Sequence, residues 1–222
     1  MNYDQIVSRI DGQGIQAYDQ GEESVQEHIN IGNGVCRALV VMWLRAKKDN
    51  QDFWSSRGTV EEPLLAASKK LEDAVDLQDE YERVNESRFI PDSATVTELL
   101  QSHLQYKQED VIASAQEGFA QELPNDEPAK IAKQVLSSSS RFFILSAKGD
   151  SGAHSIGIHR PYSLVGKSSD AYLFDPNIGE FKVNGEQNLR NLLIELNAIG
   201  YVNSGIDLNK SYILWSYYGN PI

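Results

Sequence analysis

Residues 141–159 read Arg-Phe-Phe-Ile-Leu-Ser-Ala-Lys-Gly-Asp-Ser-Gly-Ala-His-Ser-Ile-Gly-Ile-His, and here the chain changes its period. Upstream, apolar residues recur at helical spacing. From Phe142 on, short apolar runs separated by turn residues take over. Phe142–Leu145 and His154–His159 predict two strands joined through Lys148-Gly149-Asp150. Ala171–Phe174, Glu180–Val183 and Tyr212–Tyr218 predict three more, separated by Gly166–Asp170, by Pro176-Asn177-Ile178-Gly179, and by a helix near Leu189–Ile199. Helices first and a hairpin-linked antiparallel sheet afterwards is α+β architecture. We expect one domain over residues 1–222, helical to about residue 140 and sheet from about 141.

Working back from residue 141, four serines at 137–140 end a helix expected from about Ala129 to Leu136. Val111–Ala115 suits a strand or a short helix, and Ser93–Tyr106 a helix. Pro63 suits the first turn of a helix running to about Ser87, with Leu64, Leu71, Ala74 or Val75 and Tyr81 on one face. The other face of that helix, Glu72 to Glu86, is acidic and reads as solvated. Near the start, Ile6, Val7 and Ile10 mark a short helix that Gly12 and Gly14 break, and Gly21–Asn30 is polar and reads as irregular.

Gly32-Asn-Gly-Val-Cys36-Arg-Ala-Leu-Val-Val-Met-Trp-Leu44 holds the only cysteine of the chain. The glycines suit a tight approach, the apolar run a buried helix, so Cys36 falls in the first turn of that helix. Unpaired backbone N–H groups and the positive end of the helix dipole favour an anion there, which draws a thiol toward thiolate. A lone cysteine among Val, Ala and Leu also suits a core. A thiolate nucleophile needs a base and a group to orient it. His154 opens an apolar strand directly after a glycine-bearing turn, and its imidazole has a pKa near neutrality. His159 points to the opposite face and precedes Arg160-Pro161, so it reads as surface or loop. Asp175 is the last strand residue before Pro176, where a carboxylate at the sheet rim could hold the second nitrogen of His154, although Asp-Pro-Asn is also ordinary turn chemistry. For the oxyanion, the Cys36 N–H would be joined by a side-chain amide, Asn30 or alternatively Asn33.

Composition narrows the setting. The chain has 222 residues, 41% hydrophobic and 9% aromatic, enough for a sizeable core. With 32 acidic and 20 basic residues the formal charge is −12, which argues against nucleic acid or an anionic membrane as partner and would attract a basic one. A single cysteine forms no internal disulfide, and His28, His103, His154 and His159 are too scattered for a zinc site, so no metal or cofactor is expected. Residues 1–15 lack the apolar core of a signal peptide, and no apolar run reaches the ~18 residues a membrane span needs, so a soluble chain is expected.

Three blocks, Gly-Val-Cys36-Arg-Ala-Leu-Val-Val-Met-Trp-Leu, His154-Ser-Ile-Gly-Ile and Leu-Phe-Asp175-Pro-Asn-Ile-Gly-Glu-Phe, resemble the catalytic blocks of the YopT-like effector cysteine proteases. They total roughly 30 residues; residues 45–140 show no such resemblance. The resemblance implies a papain-like fold, Cys36 as nucleophile, His154 as general base and acid, and Asp175 as orienter. It also implies a protease that a specialised bacterial secretion system delivers into the cytoplasm of a target cell. The family's best-known substrates are host proteins at membranes, either small GTPases with a basic, prenylated tail or acylated kinases. The same triad on the same fold also suits glutamine deamidation or acyl transfer, each passing through a thioester. A reading from another class is a non-catalytic module whose acidic helices dock a basic partner.

Overall fold

The computed structural model describes residues 3–26, 28–31, 34–54, 63–88, 107–114, 126–149, 152–163, 166–201 and 212–218. Among the described residues, seven strands form one antiparallel sheet in the order β1-β8-β7-β4-β3-β9-β2. They are β1 Gly12–Ala17, β2 Lys107–Ser114, β3 Phe142–Gly149, β4 Gly152–His159, β7 Asp170–Asp175, β8 Gly179–Asn184 and β9 Tyr212–Tyr218. Among the described residues, β5 (Tyr162–Ser163) and β6 (Gly166–Lys167) pair only with each other.

β3 is apolar without alternation because both faces of the sheet are covered there. On β3, Phe143 and Leu145 face one core and Phe142 and Ile144 the other. The first core packs Ile131 and Val135 of α5 (Asp126–Ser137) and Leu189, Leu192 and Leu193 of α6 (Glu186–Glu195) beneath the sheet, together with Ile6 of α1 (Tyr3–Val7). The second packs Leu39, Val40, Trp43 and Leu44 of α3 (Cys36–Lys48), and Leu71 and Ala74 of α4 (Pro63–Arg88), above it. α3 lies close over β4 because Gly157 has no side chain: a Cβ there would stand 2.9 Å from the Trp43 ring and 3.2 Å from Val40 Cγ1.

The five sheet strands from Phe142 onward, and the helices beginning at Cys36 and Pro63, fall where the sequence predicts them, while the short β5–β6 pair falls partly on Gly166–Asp170, which reads as a turn. Three differences have physical causes. Gly12–Ala17 is a strand and not a break: it pairs with β8 as the sheet edge, and its exposure on both faces removes the alternation that would reveal it. Gln20–Gln26, expected to be irregular, is a helix, α2, whose N–H groups at Gly21 and Glu22 are taken by Asp19 Oδ1 at 2.9 and 3.3 Å. His159 and Arg160 are buried rather than at the surface. Arg160 reaches across to the end of α5 and donates to the carbonyls of Val135, Leu136 and Ser138 at 2.6–2.9 Å, satisfying acceptors a helix end leaves open. The acidic face of α4 is exposed at Glu72, Asp73, Asp76, Asp79, Glu80 and Glu82. The expected helix at Ser93–Tyr106 lies outside the described residues, as do the side chains of Leu64 and Tyr81.

Candidate active site

α3 begins at Cys36 itself, with Val35 at the N-cap making no side-chain cap. Gly34 adopts φ +105°, a conformation that favours glycine, and turns the chain into the helix. The Cys36 side chain is half-buried. Its sulfur lies 4.0 Å from the carbonyl of Ala153 and accepts hydrogen bonds from His154 and the Ser155 N–H. Burial pushes the thiol pKa up, but His154, the Ser155 N–H and the nearby Arg37 charge outweigh that and hold it below the ordinary thiol range.

His154 and Asp175 meet because β4 and β7 stop pairing. Their ladder runs only from His159↔Tyr172 to Gly157↔Phe174, so His154 and Asp175 lie beyond its end. His154 Nε2 stands 2.9 Å from Asp175 Oδ1, which leaves Nδ1 for the hydrogen bond with Cys36. Burial alone would lower the His154 pKa; the charge and hydrogen bond of Asp175, with those of Cys36, raise it to about 10. Asp175 is fully buried. Burial opposes its ionisation, yet it stays below the usual carboxylate range because His154, the Tyr201 hydroxyl and the Asn177 N–H all donate to it.

Cys36, His154 and Asp175 therefore come together as one hydrogen-bonded chain from three distant segments. Asn30 lies exposed in the stretch before α3, and Asn33 lies outside the described residues. Two neighbours carry no sequence signal of their own. Gln20 is buried, its Oε1 accepts the Val35 N–H at 2.9 Å, and its Nε2 donates to Asn177 Oδ1 at 2.6 Å, so it ties the nucleophile's turn to the Asp175 turn. The Gln20 N–H adds a bond to the Pro176 carbonyl at 2.8 Å. The other is Tyr201, on the far side of Asp175. Among the described residues no group of three or more His, Cys, Asp and Glu could hold a metal, and no helix is long and apolar enough to cross a membrane. A thiol beside a buried imidazole that is itself held by a carboxylate can supply a thiolate nucleophile and a proton donor together.

Residues 4–197 match peptidase family C58, the Yersinia/Haemophilus virulence surface antigens. The chain belongs to this family. It is a cysteine peptidase, of a family of YopT-like virulence effectors. The crystal structure of the Pseudomonas avirulence protein AvrPphB is similar at a TM-score of 0.59 and 17% identity, covering 92% of this chain and 97% of that one. The C58 peptidase thus has a papain-like α+β fold, as the resemblance implied. PatoxP, a cysteine protease-like domain of the Photorhabdus asymbiotica toxin PaTox, aligns at a TM-score of 0.43 and 10% identity over 94% of this chain and 62% of that one. No curated protein matches the sequence.

Proposed function

We propose that the peptidase cleaves a protein of a target cell, with Cys36 as nucleophile, His154 as general base and acid, and Asp175 as the group that orients His154. The observation that carries this reading is the continuous chain of hydrogen bonds from the half-buried thiol through His154 to a fully buried carboxylate. The thiolate attacks the scissile carbonyl carbon, and the resulting oxyanion is held by the Cys36 N–H and a side-chain amide, Asn30 or alternatively Asn33. The imidazolium gives its proton to the leaving amine, whose departure leaves a thioester. His154 then takes a proton from water, hydroxide adds to the thioester, and collapse releases the acid and the thiolate. Asp175 keeps the ring in the orientation and tautomer both half-reactions need.

Delivery into the cytoplasm of a target cell by a specialised secretion system fits the virulence family. The net charge of −12 favours a substrate with a basic segment around the cleaved bond. The test has two parts. Mild iodoacetamide should add once to Cys36, faster in wild type than in His154→Ala between about pH 5 and 8. Incubation with target-cell extract should then produce new protein N-termini that Cys36→Ser does not produce. Slow labelling indifferent to His154 would overturn the triad. Fast labelling, with glutamine side chains changed and no new termini, would replace hydrolysis with deamidation or acyl transfer.

A further inference from the structure

α6 does not end as an α-helix. Its last turn, Leu196–Gly200, is π-helical, and the Tyr201 N–H bonds back to the Leu196 carbonyl at 3.1 Å. A π turn inserts a residue into the helical register, which rotates whatever follows by roughly 100° relative to an α continuation. The residue so redirected is Tyr201, which is buried at 3% exposure in the molecular interior. Its hydroxyl donates to Asp175 Oδ2, and its ring stands edge-on to His154, centroids 5.6 Å apart at 69°. His154 and the Asn177 N–H both use Oδ1, so Tyr201 supplies the bond to the other oxygen. Leu189, Leu192, Leu193 and Leu196 anchor the helix in the core beneath the sheet, which makes the hydroxyl's placement a property of the fold.

We propose that Tyr201 is a positioning residue of this active site, acting through Asp175 on the Cys36–His154 pair; the proposal rests on the triad reading above. The hydroxyl fixes the rotation of the carboxylate and draws off part of its charge. Without that dipole, the site becomes more negative at both His154 and Cys36, and each holds its proton more tightly. The pH profile of Cys36 alkylation should show an acid limb, where the thiol ionises, and an alkaline limb, where the imidazolium loses its proton. Tyr201→Phe keeps the ring and removes only the hydroxyl. It should move both limbs to higher pH by about half a unit, and lower peptide turnover about tenfold once a substrate is in hand. In Asp175→Asn the same substitution should move neither limb further.

Limbs unmoved in Tyr201→Phe, with only a lower melting temperature, would overturn the proposal and leave the triad standing. Wild type without fast, His154-dependent alkylation would overturn both. Should Tyr201→Phe fail to fold, proton NMR of the otherwise native protein decides. A slowly exchanging, downfield tyrosine hydroxyl that shifts in Asp175→Asn is expected, and its absence overturns the assignment.

Discussion

His154 and His159 sit on one strand, β4, and are equally secluded, at 3% and 6% exposure. Their chemistry is opposite. His154 meets a carboxylate on one nitrogen and a thiol on the other, and is held protonated well above the ordinary histidine range. His159, on the other face, stacks on Phe142 at 5.0 Å and leans on Tyr172 at 6.1 Å, and among the described residues neither ring nitrogen has a hydrogen-bond partner. Burial lowers its pKa, and the charges of Arg141 and Lys47 lower it further, to about 3. At equal burial, one imidazole is thus held charged and the other is an apolar plate. The partners decide, because desolvation always disfavours the charged ring and only a paired anion reverses it.

The strongest test of the comparison removes the anion. Asp175→Asn should lower peptide turnover by roughly 10³–10⁴-fold while the protein stays folded, since the ring loses both its tautomer and its orientation; a loss of only a few-fold in turnover would break the contrast. Next comes Glu180, a second fully buried carboxylate, held by Trp43 Nε1 at 3.0 Å, Trp54 Nε1 at 2.5 Å and Lys47 Nζ at 2.7 Å. Glu180→Gln should cost about 3 kcal/mol in urea unfolding, because it strands the Lys47 charge, which faces His159.

A smaller effect comes from pH. The unfolded chain protonates His159 near pH 6.5 while the folded chain resists to about 3, so stability should fall as pH drops through that window. The loss is about 1.4 kcal/mol per pH unit, roughly 2 kcal/mol by pH 5, and His159→Phe should flatten it. His154 has the opposite sign: its raised pKa stabilises the fold at and below neutrality, and that contribution fades as pH rises toward about 10. Unfolding midpoints across pH should therefore peak near neutrality, and a flat acid side in wild type would refute the account of His159. The smallest effect is steric. Gly157→Ala should cost about 1–2 kcal/mol in thermal unfolding as Trp43 and Val40 shift, and should slow Cys36 alkylation by loosening α3 against His154.

Much of the fold was legible because its signals are local. Phe142–Leu145, Tyr212–Tyr218 and the turn at Pro176 each carry a period or a turn residue, and five of the seven sheet strands lie where those marks put them. α2 was missed although Asp19 and Glu22 stand at capping-box spacing, because Gly21–Asn30 holds too few apolar residues for an apolar stripe. His159 was misjudged because Arg160-Pro161 looks like a surface turn. In the fold Arg160 is bound to the end of α5, a contact that depends on a helix more than twenty residues away.

The sequence by itself determined the chemical candidates at the site, since each carries its own mark: the sole cysteine opening an apolar helix, a histidine after a glycine turn, an aspartate before a proline. Only the tertiary structure decided which groups surround them. The end of the β4–β7 ladder short of His154 and Asp175, the π turn that aims Tyr201 at Asp175, and the Gln20 amide bridging two turns all depend on segments far apart in the chain arriving together. Such meetings leave no trace in local spacing, because they are selected by the packing of both cores at once and not by the conformational preference of any one stretch.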